Sequence, residues 1–61
     1  MNAVERLASI DVAILSLRSA RDCLAKAGAK KAAESVRRTL KSVEGARRHA
    51  ECLTVREMAD R

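Results

Sequence analysis

The sequence predicts an all-α protein, an antiparallel two-helix hairpin that dimerises into a four-helix bundle. Three observations point there. The 61 residues include no proline and only two glycines, and Ala, Leu, Arg, Lys and Glu, which lose little on entering a helix, predominate. Apolar side chains recur at intervals of three and four in two long blocks. Between the blocks, AKAGAKK places Gly28 where a residue in the left-handed conformation closes a helix. A chain this short forms a single domain, residues 1–61, and a core of that size contributes no more than ~3–5 kcal/mol, so a staple or a partner is expected.

Helix one is expected over residues 3–27. Asn2 followed three residues later by Glu5 matches a capping box, in which the Asn side chain accepts from an early free N–H and the Glu reaches back to the cap. Leu7, Ile10, Ile14, Leu17 and Leu24 then line one face. The turn falls at residues 28–29, and helix two is expected over 30–58, although no Ser, Thr, Asp or Asn caps its start. Its stripe reads Ala32, Val36, Val43, Ala46, Ala50 and Leu53, with Val36, Val43 and Leu53 as its main contributions to the hairpin core. Gly45 costs up to ~1 kcal/mol relative to alanine, but the stripe stays in phase on both sides, which favours one continuous helix. A short connection makes the helices antiparallel, in a hairpin about 40 Å long at 1.5 Å per residue.

The stretch LASIDVAILSL, residues 7–17, carries more apolar surface than one partner helix covers. At ~100° per residue, Leu7, Ile10, Ile14 and Leu17 form one face, while Val4, Ala8, Val12 and Leu15 form another, more than a quarter turn away. Helix two offers mainly alanine and valine. The second face is therefore expected to take a dimer partner or another protein, since burying a side chain such as Leu15 contributes ~1.5–3 kcal/mol. Asp11 lies between the two faces and is expected opposite Arg47, where the pair sets the register of the helices.

Little in the sequence supports catalysis. His49 is the single histidine and is expected opposite residue 8, on the helix surface. Cys23 and Cys52 are expected near opposite ends of the hairpin, too far apart for an intrachain disulfide. One histidine and two separated cysteines make no metal site, and no glycine-rich phosphate loop is present, so neither cofactor nor enzymatic activity is expected. No stretch approaches the ~20 apolar residues of a membrane span, and no secretory signal is read at the N-terminus, so a soluble, cytoplasmic, reduced protein without membrane contact is expected.

A net charge of +5 favours an acidic partner. Lys30, Arg37, Lys41 and Arg48 fall within about 40° of one another on helix two, with Arg38 at the edge, as candidates for contact with an acidic protein or with phosphates. Glu34 and Glu44 interrupt this stripe and stand four residues before Arg38 and Arg48, the spacing of solvated ion pairs. Without aromatic residues there is nothing on which to stack bases, which weighs against single-stranded RNA.

The segment LRSARDCLAKAGAKKAAESVRRTLKSVEGARRHAE, residues 17–51, resembles small helical proteins encoded by bacteriophages and prophages, especially those of transposable-type phages. The resemblance implies a non-catalytic accessory or host-takeover protein that binds and inhibits a bacterial host protein in the host cytoplasm, and it transfers no site residues. In plan alone, the expected dimer is also similar to the plasmid RNA-binding protein Rop, a short helical hairpin that pairs into a bundle. Protein binding is thus the first expectation and nucleic-acid binding by a basic bundle the second.

Overall fold

Two helices, α1 (Ala3–Lys26) and α2 (Lys30–Ala59), make up nearly all of the computed structural model, which describes residues 2–59. They lie antiparallel in an all-α hairpin whose extents are 50 × 15 × 12 Å. α1 ends one residue before, and α2 one residue beyond, the expected boundaries.

The start of α1 is held as its sequence dictates. The Glu5 amide donates to Asn2 Oδ1 at 2.8 Å, and the Asn2 amide donates to Glu5 Oε2 at 3.4 Å, completing the capping box. At the other end the Ala29 amide donates to the Leu24 carbonyl and the Gly28 amide to that of Ala25, at 2.9 and 3.1 Å. This pair of bonds is a Schellman motif, and it needs Gly28 at φ 76°, a region that side chains with a Cβ enter at a cost. Leu24 and Ala29, both half-buried, occupy the two positions whose apolar contact commonly accompanies the motif. Nothing lies within 4 Å of a Cβ built on Gly28, so Gly28→Ala isolates the backbone term. The expected result is a loss of about 1 kcal/mol in urea unfolding, with unchanged helix content by circular dichroism.

Packing follows a strict alternation of three and four. On α1 the seam runs Leu7, Ile10, Ile14, Leu17, Arg21 and Leu24; on α2 it runs Ala33, Val36, Leu40, Val43, Arg47, Ala50 and Thr54, all buried or half-buried. Among the described residues only Ile14, Ala33, Leu40 and Ala50 are buried, between 4 and 7% exposed. The expected stripe on α2 is corrected in two ways. Ala32 and Ala46 lie on the shoulder of the helix and are exposed, whereas Ala33 and Leu40, absent from that stripe, are two of the four most buried residues. Leu53 is half-buried at the edge of the seam. Gly45 does not interrupt α2, because the seam continues through Val43 and Arg47 on either side of it. Thr54, the seam's polar member near the open end, donates its hydroxyl to the Ala50 carbonyl at 2.8 Å and so carries no unpaired group into the packing.

Candidate interaction surface

The helices cover one face of α1 and leave the next uncovered. Val4, Val12 and Leu15 are 73, 63 and 64% exposed, and Ala8 between them is exposed as well. Two further exposed apolar residues were not singled out by the sequence reading. Val55 and Met58, 66 and 71% exposed, lie on the last turns of α2, which the antiparallel arrangement carries to the start of α1; Met58 lies beside Val4, whereas Val55 sits among Cys52, Arg56 and Ala59 of its own helix. A shallow depression there is lined by Val4, Arg6, Thr54, Glu57 and Met58. The signal for Met58 was its spacing of four from Thr54, which places it beside the seam at its final turn.

Beside this surface the helices are tied by charge. Arg47 Nε donates to Asp11 Oδ1 at 2.5 Å, and the same guanidinium pairs with Glu51 one turn further along α2. The bond to Arg47 holds the Asp11 carboxyl below the usual carboxylate range, desolvation opposes this, and the positive charge of Arg47 reinforces it; the guanidinium is raised in turn. Because Asp11 is depressed in the folded chain, its contribution is complete above its unfolded value near pH 4 and fades as pH falls through the lower folded one. Thermal unfolding of the native chain and of Asp11→Asn should therefore differ at about pH 6 and converge at about pH 2. A gap that persists in acid excludes this ion pair as its origin. Near the open end, Arg6 and Glu57 approach at 3.9 Å, an exposed pair that contributes little.

The basic stripe is open to solvent. Lys30, Arg37, Arg38, Lys41 and Arg48 are all exposed. The expected pairs Glu34–Arg38 and Glu44–Arg48 do not close: among the described residues the ion pairs are Arg6–Glu57, Arg21–Asp22 and those of Arg47 with Asp11 and Glu51. Among the described residues the stripe's cations thus have no carboxylate partner. A groove between the helices, lined by Asp11, Leu15, Arg18, Glu44 and Arg48 among others, connects the stripe to the apolar face of α1.

Cys23 and Cys52 are exposed, unpaired thiols, and His49 is exposed on α2. Among the described residues no three His, Cys, Asp or Glu side chains gather as a metal ion requires, and no helix is long and apolar enough to cross a membrane. Fold and surface together define an all-α helical hairpin with one uncovered apolar face and one uncovered basic stripe. Comparison with protein-family models, with curated proteins and with solved structures finds no match.

Proposed function

We propose that this chain is a non-catalytic protein-binding module that works as a homodimer, using its basic stripe to hold an acidic surface of another protein. The observation that carries this reading is the uncovered face of α1, where Val4, Val12 and Leu15 remain more than 60% exposed after the hairpin has formed. Each contributes ~1.5–3 kcal/mol when taken out of water, comparable with what a core of this size supplies. A second copy offers the same need in return. The exposed, unpaired stripe gives such a dimer a surface of opposite sign to an acidic partner and steers its encounter.

The resemblance over residues 17–51 extends the proposal to a phage-type accessory protein whose target is a bacterial host protein, met in the host cytoplasm, where both exposed thiols stay reduced. The length of the stripe favours a second reading, binding of nucleic acid. From Lys30 to Arg48 it spans about 27 Å, enough to follow several phosphates. Glu34 and Glu44 along it, and the absence of aromatic residues, favour the protein target.

Light scattering and affinity capture from bacterial lysate test the proposal together. The native chain should have the mass of two copies and should retain a host protein after nuclease treatment, while Arg37→Glu/Lys41→Glu keeps the mass and loses the host protein. A monomeric mass, capture abolished by nuclease, or no captured protein overturns it.

A further inference from the structure

Folding the chain at Gly28 sorts its charges by position along the hairpin. The half nearest the turn, residues 15–43, holds eight Lys and Arg against two Asp and Glu, a net +6. The open half, residues 2–14 and 44–59, holds four against five, a net −1. Large exposed apolar side chains are sorted the opposite way. Val4, Val12, Leu15, Val55 and Met58 lie at or beside the open half, and among the described residues none falls between residues 16 and 54.

We infer that the face of α1 bearing Val4, Ala8 and Leu15 is occupied by a second copy of this chain lying antiparallel to the first, which leaves a basic pole at each end of the dimer. The inference rests on the proposed homodimer and adds its geometry. Helices in contact lie 8–10 Å apart, close to the Debye length of about 8 Å at physiological ionic strength. In a parallel pair the two turn halves would stand side by side at that separation, bringing an excess of twelve positive charges together. In an antiparallel pair centred on the apolar patch, each turn half extends past the partner's open end, and the two +6 regions are held apart.

The apolar residues support the same orientation. An isologous contact has its two-fold axis at the middle of the patch. With the axis midway between Val4 and Leu15, Val4 of each copy meets Leu15 of the other, and Ala8 beside the axis is small enough for the helices to approach closely. Met58, carried to the same end by α2 and lying beside Val4, flanks the contact. A parallel pair would instead set Val4 against Val4 and Leu15 against Leu15, with nothing to offset the crowding of charge near the turns.

Cys23, exposed and unpaired, is the natural reporter. In a Cys52→Ser chain spin-labelled at Cys23, the labels lie 13 to 14 residues from the axis on each side, so double electron–electron resonance should give about 40 Å. A dimer with a label separation below about 25 Å, the parallel value, overturns the orientation and leaves the dimer standing. A monomeric mass under the same conditions overturns the homodimer as well. The antiparallel form also predicts that the dissociation constant changes less than about threefold between low and moderate salt, whereas marked tightening by salt would reveal charged ends packed together.

Discussion

Leu40→Ala is expected to unfold most of the chain at room temperature. Leu40 is 5% exposed in the α2 seam, and removing its isobutyl group leaves a cavity between helices in which only four of the described residues are buried. Buried leucine-to-alanine changes cost ~2–5 kcal/mol, and a core of this size contributes ~3–5 kcal/mol in all. Circular dichroism at about 25 °C should show helical signal lost in proportion, recovered in Leu40→Met, which nearly preserves volume. A cooperative melt within a few degrees of the native chain in Leu40→Ala would mean that the a/d seam is not what holds the hairpin.

Leu15→Asp should separate folding from association. Leu15 is 64% exposed in the hairpin, so the substitution removes little from the fold. In a two-fold dimer it acts twice, removing at least ~1.5 kcal/mol of apolar burial per copy and placing a carboxylate in each half of the contact. The dissociation constant is expected to rise by at least about 100-fold, read as a monomeric mass by light scattering, with helix content retained at low temperature. Ser42→Asp, exposed on α2 away from the α1 face, should leave the mass unchanged. Equal masses for native and Leu15→Asp chains would remove the α1 face from the association.

The two substitutions also mark how far the sequence can be read. Leu15 was recognisable as surplus because α1 places apolar residues on more than one side, and no single helix covers them. Leu40 was not. It sits in RRTLKS between basic and hydroxyl-bearing neighbours, and the run of alanines in α2 supports more than one apolar stripe at helical spacing. Ala32 and Ala46 fit one such stripe as well as Ala33 and Leu40 fit another; burial against α1 distinguishes them, Ala33 and Leu40 being 5% exposed and Ala32 and Ala46 open to solvent. Arg47 occupies a seam position where a periodicity of apolar residues shows only a gap, yet its partner was legible: folding the chain at Gly28 sets Asp11 opposite it, and that expected pair forms.

The sequence by itself determined the two helices, the capping box at Asn2 and Glu5, the stop at Gly28 and hence the antiparallel course of the chain. These depend on backbone donors, acceptors and torsions within a few residues of one another. Only the tertiary structure decided which line of small residues on α2 enters the seam, and that the Glu34–Arg38 and Glu44–Arg48 pairs stay open. Each of those is a competition between neighbouring helix faces. Its outcome depends on the rotation of one helix against the other, which local torsions do not encode.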